Sequence, residues 1–491
     1  MGTLGKELKT LFKHGSVYFL GTVLSRLVGF IMIPVYTVYL KAEGYGIDTL
    51  VGLSIEICGI VISSGIAGGI YRFYYEYKNQ KDRNTVISTA CIAVSVIAFV
   101  FIGSLCLLSP VAARIILDDS SLWVYFLLAF GSLFFGQHTQ LMYTYLRIKE
   151  ESSKYLMISV ANLVVSLSLN ILLIVYYKMG VFGLFLSNFI SAALFALICY
   201  PILLKNVGIK FSLPVFKKML RFNLPIIPSN LASLAVNASD RYFIKVFFSI
   251  ADTGIYSLGY KFGNLVFYFV RVPFMQIWEP RRYALYQENA PTDIYAKVAT
   301  YFWLLLVFTG LGISILIKDV IKIVATPEFV DAGFYAPLIV LSYIIYAMDN
   351  HVGFGILVRK KTEYWTYVNF SMCLINLILN FALIPKFGCW GAVFATFFSL
   401  LYKIVALYLV GRKMFYIPFE LWRMGGILII ALALYAMSMV VRDDRLWVAI
   451  SYDLAFYSLF VPSLWIFGLI NREEKATLKS FVSKFFKKQR A

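Results

Sequence analysis

Long apolar segments follow one another along almost the whole chain, and short polar breaks separate them. A helix needs roughly 20 mostly apolar residues to cross about 30 Å of hydrocarbon. Runs such as 97–108 and 427–441 do not alternate as the strands of a β-barrel would. The pattern therefore predicts an all-α membrane protein with about fourteen transmembrane helices.

Each predicted helix is an apolar run bounded by polar residues, with its ends placed to about four residues. The fourteen helices lie near residues 15–40, 46–70, 85–109, 121–146, 155–177, 181–204, 222–248, 254–278, 298–317, 333–358, 364–385, 389–411, 422–441 and 447–470.

Composition agrees with lipid as the solvent of this chain. Hydrophobic residues make up 60% of it and charged residues only 14%, whereas a soluble domain is about 45–50% apolar. The six cysteines lie in or beside apolar runs without a framework spacing, so no disulfide is expected. The three histidines do not stand at a metal-ligand spacing, and neither a metal site nor a cofactor is expected.

Positive charge is distributed unevenly between the loops. Lys and Arg concentrate in alternate loops, in the N-terminal segment and after the last helix. Cytoplasmic loops carry this excess, so both termini are predicted to be cytoplasmic, in the cell inner membrane, with a short outward loop at 41–45. The net charge of +19 then reflects orientation and contact with anionic membrane lipids, and no nucleic acid partner is expected. The basic, partly apolar tail 471–491 is predicted to lie on the inner leaflet.

Two parts of the chain repeat each other at a spacing near 208–210 residues. The turn Lys178-Met-Gly180-Val-Phe-Gly183 recurs as Lys386-Phe-Gly388-Cys-Trp-Gly391. The segment 39–47 likewise matches 247–255, with Gly46 aligned on Gly254. The glycines indicate tight turns and close helix packing rather than a binding site.

The repeat predicts four regions. Residues 1–205 and 206–412 are predicted to form two six-helix lobes, related by an axis along the membrane normal. Residues 413–470 add a helix pair that has no counterpart in the repeat, and 471–491 form the basic tail. Paired lobes of this kind enclose a central cavity.

The chain resembles the polysaccharide-exporting branch of the multidrug/oligosaccharidyl-lipid/polysaccharide superfamily, the Wzx-type flippases. The resemblance rests on three segments, in order, and on the plan of two lobes followed by a helix pair. The segments run from Gly15 to Pro34, from Ala251 to Ser257 and from Ile384 to Ala392.

The resemblance implies that the protein moves undecaprenyl-diphosphate-linked oligosaccharides from the cytoplasmic to the periplasmic leaflet by alternating access. The units would serve O-antigen (lipopolysaccharide), capsule or exopolysaccharide assembly. The implied partners are the lipid-linked glycan, membrane lipids, and the polysaccharide polymerase and chain-length proteins.

Several cations fall inside predicted helices, where each costs about 2.5–3.5 kcal/mol, so they are expected to line the cavity. A diphosphate needs fixed cations, and the planar guanidinium suits phosphate oxygens. The substrate-binding candidates are Arg26, Arg241, Arg271 and Lys261. Lys403 lies near the inner interface, and a structural role is preferred for it.

Two acids are candidates for coupling to H⁺ or Na⁺. Glu56 lies near the middle of predicted helix two, and Asp240 precedes Arg241 in helix seven. Alternatives stay open, because Arg26 and Glu56 could form an internal ion pair, and Arg241 could pair with a neighbouring acid or extend to the outer face.

Other functions are compatible with parts of this pattern. A flippase for a peptidoglycan or teichoic acid intermediate would share the same plan, whereas drug exporters of the superfamily usually lack the last helix pair. A polymerase, ligase or glycosyltransferase usually needs a sizeable soluble loop. The outward loops here are short, so the chain is not expected to be an enzyme.

Overall fold

A computed structural model describes residues 29–63, 67–224, 226–441 and 445–469. Within these ranges every regular element is a helix. Numbered in chain order, the α-helices are α1 Ile33–Ser63, α2 Ala67–Glu76, α3 Gln80–Leu107, α4 Ser109–Leu117, α5 Trp123–Ile148, α6 Ser152–Asn170, α7 Gly180–Val207, α8 Leu213–Asn223, α9 Ile226–Phe247, α10 Ile250–Gly263, α11 Val272–Gln287, α12 Thr292–Val324, α13 Ala332–Tyr346, α14 Asp349–Val352, α15 Phe354–Val358, α16 Thr362–Phe387, α17 Cys389–Met414, α18 Leu421–Val440, α19 Leu446–Ser458 and α20 Phe460–Ile466.

In the described part of the chain, eleven helical segments are long and apolar enough to cross a membrane. They correspond to predicted helices two to six and nine to fourteen. Predicted helices seven and eight are also helical, as α9 and as α10 with α11, but they carry more polar residues and are not among the eleven. Predicted helix one lies mostly outside the described residues, so the count of fourteen stays a prediction.

The predicted loop at 41–45 was too long. In α1 a single residue, Lys41, leaves the helical region, with φ 58° and ψ −176°. The residues on both sides remain helical, so the first two predicted helices meet at this one kink. The helices α4 and α8 lie largely in segments that were predicted to be loops. The short helix α8 buries Val215 and Met219, which gives a polar connection a reason to be helical.

The described residues form two compact units. The first contains the described residues up to Ser257, together with Val324–Phe329 and Cys373–Ala392. Its core includes Leu50, Val86, Ala90, Phe126 and Leu203. The second contains Leu258–Ile323, Val330–Met372 and the described residues from Val393 onward. Its core includes Val266, Ala299, Phe302, Leu306 and Phe460. These units are defined by contacts and not by the sequence repeat, so the lobes at 1–205 and 206–412 stay a prediction.

The two repeated glycine turns share a positive φ at the aligned glycine. Gly180 and Gly388 have φ of +56° and +58°, a region in which glycine is favoured because it has no Cβ. A Cβ at Gly183 would meet the carbonyl oxygen of Leu173, and one at Gly391 would meet that of Leu383. Positive φ and close approach are therefore both confirmed at these turns.

A reciprocal contact joins α1 and α10 within the first unit. A Cβ at Gly46 would collide with the carbonyl oxygen of Ile250, and one at Gly254 with that of Ala42. Glycines at a crossing allow two helix backbones to approach closely. The aligned positions of the repeat thus contact each other in a two-way pattern.

A second pair of contacts in the same unit is also reciprocal between aligned positions of the repeat. The Thr37 hydroxyl donates to the Val324 carbonyl oxygen at 3.5 Å, and the Lys245 ammonium donates to that of Ile115 at 3.5 Å. Lys245 follows Thr37 by 208 positions (245 − 37), and Val324 follows Ile115 by 209 (324 − 115). Both spacings match the repeat of roughly 208–210 residues. Lys245 also pairs with Asp118 at 2.5 Å.

Candidate functional site

The first unit contains a buried ion pair between two neighbouring residues of α9. Arg241 Nη1 lies 2.9 Å from Asp240 Oδ1, and the two side chains are 8% and 0% exposed. The same carboxylate oxygen accepts the backbone N–H of Arg241 at 2.9 Å. Tyr256 of α10 donates its hydroxyl to Asp240 Oδ2 at 2.5 Å. The carboxylate therefore receives hydrogen bonds at both oxygens.

This pair has one cation for one carboxylate. The Arg241 guanidinium also lies 5.5 Å from the ring centre of Tyr256, and the Thr253 hydroxyl donates to the Arg241 carbonyl oxygen at 3.4 Å. A buried charge needs such a partner and such hydrogen bonds. The sequence left open whether Arg241 pairs with a neighbouring acid, and it does. Its contact with substrate stays a prediction.

The second unit contains a cluster with a different charge balance. Arg271 Nη2 lies 2.7 Å from Asp349 Oδ1, and Lys403 Nζ lies 3.5 Å from Asp349 Oδ2. The side chains of Arg271, Asp349 and Lys403 are 14%, 4% and 5% exposed. Two cations share one carboxylate, so the three side chains together carry an excess of positive charge.

Irregular helix geometry places these side chains. Arg271 ends a π-helical turn, Phe267–Arg271, between α10 and α11. Such turns shift the helical register and often occur at functional sites. Asp349 begins α14, a four-residue helix that follows the end of α13. Lys403 comes from the regular helix α17.

Aromatic rings cover the two cations. Tyr346 lies between them, with its ring centre 5.4 Å from the Arg271 guanidinium and 4.6 Å from the Lys403 ammonium. Phe267 stacks on Tyr346 at 5.6 Å and lies 4.6 Å from Arg271. The faces of these rings are electron-rich and attract cations. They do not cancel the excess charge, because they carry no net charge themselves.

The hydrogen-bonding capacity of the cluster is incompletely used. The Nε of Arg271 and both ring nitrogens of His351 are buried and find no partner among the residues that the structure describes. His351 is 4% exposed and stacks on Phe302 at 5.0 Å. Buried polar atoms are usually satisfied, so the vacant donor on Arg271 indicates capacity for a further acceptor.

A third arginine lies next to this cluster. Arg282 of α11 is 1% exposed, and its Nη1 donates to the Asn350 carbonyl oxygen at 2.7 Å. Its Nη2 lies 3.1 Å from Glu279, a half-exposed acid. A cavity of about 10 Å³ is lined by Arg282, Asn350 and His351 together with Trp278. That volume admits one water molecule, so the cavity does not accommodate a sugar or a diphosphate.

Of the other predicted site residues, the structure describes Glu56 and Lys261. Arg26 lies outside the described residues. Glu56 is exposed on α1, and Lys261 is half-buried on α10. None of the candidate roles of Arg26, Lys261 and Glu56 is tested by these positions, and they stay predictions.

Sequence reasoning missed two members of the second cluster. Lys403 was interpreted as an interfacial, structural lysine, but it is buried against Asp349. Asp349 was not singled out. A signal existed, because the polar run Asp349-Asn350-His351 interrupts predicted helix ten just before Gly353.

The architecture is that of a multi-pass, all-helical membrane protein. It is similar to the structure of the lipid II flippase MurJ in an inward closed conformation, with a TM-score of 0.75 and 14% identity, covering 93% of this chain and 100% of that one. An inward-facing multidrug resistance MATE family transporter of the MOP superfamily gives a TM-score of 0.64 at 12% identity, covering 79% and 94% of the two chains. At these identities the likeness establishes the fold.

The sequence family is more specific. The profile described as polysaccharide biosynthesis protein matches residues 11–281, more than half of the chain, and the chain belongs to this family. Protein 1 of the Lsg locus of Haemophilus influenzae is 24% identical over 339 residues, which cover 68% of this chain and 81% of the relative. An uncharacterized membrane protein of the same organism is 25% identical over 267 residues, covering 53% and 62%.

Proposed function

We propose that this protein is a flippase that moves undecaprenyl-diphosphate-linked oligosaccharides from the cytoplasmic to the periplasmic leaflet of the inner membrane. The units would supply O-antigen, capsule or exopolysaccharide assembly, where a polymerase and chain-length proteins would receive them. The family, the transporter fold and the eleven apolar helices among the described residues support this proposal.

The observation that carries the proposal is the cluster of Arg271, Lys403 and Asp349. It is buried and cationic, and it keeps a vacant guanidinium donor on Arg271. A diphosphate offers the missing negative charge and the acceptor oxygens, and a guanidinium binds phosphate oxygens through its planar fork. The lipid tail would stay in the bilayer while the headgroup is held.

The remaining predicted site residues belong to the same proposal. Arg26, Arg241 and Lys261 stay candidates for contacts with the substrate, and both termini would be cytoplasmic. Glu56 and Asp240 would couple transport to H⁺ or Na⁺. Asp240 is the better supported of the two acids, since its carboxylate is buried and its partners are defined.

A second candidate substrate is a lipid-linked peptidoglycan intermediate. The likeness to the lipid II flippase MurJ, at a TM-score of 0.75, favours it. The polysaccharide family favours the first substrate. Both lipids carry a diphosphate, so Arg271 and Lys403 could bind either one. The two candidate substrates differ in their glycan.

Reconstituted vesicles test the function directly. The purified full chain is incorporated into liposomes that contain undecaprenyl diphosphate linked to an oligosaccharide, and transfer between leaflets is followed by accessibility to an added glycosidase. We expect transfer by the wild type and a transfer rate lower by about tenfold or more in Arg271→Ala, because the planar guanidinium that binds phosphate oxygens is removed. Arg271→Lys is expected to recover part of the rate.

The matched control is Arg281→Ala in the next helix. Arg281 is 54% exposed and pairs with Glu288 at 3.1 Å, and exposed pairs contribute little. Its transfer rate is expected to equal that of the wild type. Equal rates for Arg271→Ala and Arg281→Ala in well-folded protein would contradict the assignment. Faster transfer of lipid II than of the oligosaccharide lipid would favour the second candidate.

A further inference from the structure

We infer that Asp349 is an internal competitor for the diphosphate, which occupies the cationic subsite when no substrate is bound and leaves it when the diphosphate arrives. The inference rests on the proposed function and adds a specificity-determining residue to it. The residue concerned is an acid, which would otherwise be expected to repel the substrate.

The contacts of Asp349 match those that a phosphate would make. One carboxylate oxygen receives Arg271 Nη2 at 2.7 Å and the backbone N–H of Asn350 at 2.6 Å. The other faces Lys403 at 3.5 Å. A carboxylate that bridges a guanidinium and an ammonium thus occupies the place where two phosphate oxygens would bind.

The charge balance makes exchange favourable. Asp349 supplies one negative charge to two buried cations, Arg271 and Lys403, and leaves the Arg271 Nε vacant. A diphosphate supplies two or more negative charges and several acceptors. The cations therefore gain in charge neutralisation when a diphosphate replaces the carboxylate, whereas an uncharged lipid supplies no negative charge and a singly charged one supplies no more than Asp349 does.

Asp349 lies at an irregular part of its membrane segment. It begins the four-residue helix α14, and turns at Ala347–Met348 and at Gly353 interrupt the regular α-helix on either side. Backbone hydrogen bonds continue across the first of these turns, from Val352 to Met348, so the side chain of Asp349, and not the helix, moves in the exchange. By contrast, Arg271 and Lys403 are held by rings, since Tyr346 contacts both cations.

An internal anion gives the transporter two properties. It keeps the buried cations neutralised in the empty state, where uncompensated charges would be costly. It also helps to release the product, because the carboxylate returns as the diphosphate leaves. The apparent affinity is then lower than the intrinsic affinity, because only the fraction of protein with Asp349 displaced can bind.

Equilibrium binding to the full chain in lipid nanodiscs tests this inference. The probe is undecaprenyl diphosphate, and the uncharged alcohol undecaprenol is the negative control. We expect Asp349→Asn to bind the diphosphate about tenfold more tightly than the wild type, with dissociation slowed by a similar factor and transfer reduced. The matched control Glu288→Gln, which removes a 55%-exposed acid from a surface pair, should leave binding unchanged.

Two outcomes separate this inference from the proposed function. If Arg271→Ala weakens binding while Asp349→Asn, with wild-type thermal unfolding, does not tighten it, the internal competitor is refuted and the flippase proposal stands. If Arg271→Ala binds as well as the wild type, the proposed function itself fails.

A second comparison applies if Asp349→Asn does not fold. Lys403→Gln leaves one cation with one carboxylate, and Lys403→Gln with Asp349→Asn leaves Arg271 without a competitor and without a second cation. The double variant is expected to bind undecaprenyl diphosphate about tenfold more tightly than Lys403→Gln alone. Equal binding by these two proteins would also refute the inference.

Discussion

The two buried arginine clusters differ in how completely their charges are satisfied. In the first unit, Asp240 and Arg241 are adjacent, one acid neutralises one cation, and Tyr256 completes the hydrogen bonding of the acid. In the second unit, Asp349 is shared by Arg271 and Lys403. A completed pair has little to gain from a further ligand. When two cations share one acid, the remaining positive charge can be neutralised by a further anionic ligand.

The two clusters have different expected roles although their side chains are similar. Four of the five charged groups are buried and the side chain of Arg271 is 14% exposed, so burial alone would have ranked the two sites equally. Charge balance separates them. The Asp240–Arg241 pair is expected to contribute mainly to folding, and the cluster of Arg271, Asp349 and Lys403 mainly to transport.

The largest expected effect is the loss of stability when the Asp240–Arg241 pair is broken. Asp240→Ala would leave Arg241 buried without its acid, and such a change costs about 3–5 kcal/mol. We expect a large fall in thermal stability and in the amount of protein in the membrane, measured by unfolding of the purified protein and by immunoblotting. An Asp240→Ala protein with normal stability would show that the pair is not structural.

A smaller effect on stability, but a strong effect on transport, is expected from Lys403→Ala. The change leaves Arg271 paired one-to-one with Asp349, which is the charge balance of the first cluster. We expect the transfer rate in vesicles to fall about tenfold or more, while unfolding changes by less than in Asp240→Ala. Unchanged transfer would show that an excess of positive charge is not required.

The smallest effect is expected at the ring between the two cations. Tyr346→Leu removes an aromatic face that contacts Arg271 and Lys403, and such contacts contribute about 0.5–2 kcal/mol. A several-fold loss of transfer is expected, whereas Tyr346→Phe should retain most of the rate because it keeps the ring. Equal losses in the two variants would assign the effect to the hydroxyl.

Much of the helical framework could be predicted from the sequence. The apolar runs lie in helices wherever the structure describes them, and the turns at Gly180 and Gly388 have the positive φ that glycine favours. These features are local, because lipid requires each spanning segment to satisfy its own backbone hydrogen bonds. The count of helices and the lobes stay predictions.

The candidate site was less predictable because it depends on contacts between distant residues. Arg271 was identified as a charge within an apolar run, but its partners come from α14 and α17. Predicted helix ten forms one membrane segment, but the sequence did not reveal the turn at Ala347–Met348 that precedes Asp349. Lys403 was placed by its distance from a helix end, and that distance does not reveal a buried acid on another helix.

The crossing at Gly46 and Gly254 bears on the history of the chain. Each glycine contacts the backbone of the other helix four residues before the other glycine, at Ile250 and Ala42. This is the pattern of an isologous interface, in which the same patch of two identical subunits pairs with itself. A six-helix ancestor that already formed homodimers through this patch would need only fusion of two gene copies to yield the present arrangement. Afterwards each glycine would have to be preserved separately, since a side chain at either one would separate the same two helices.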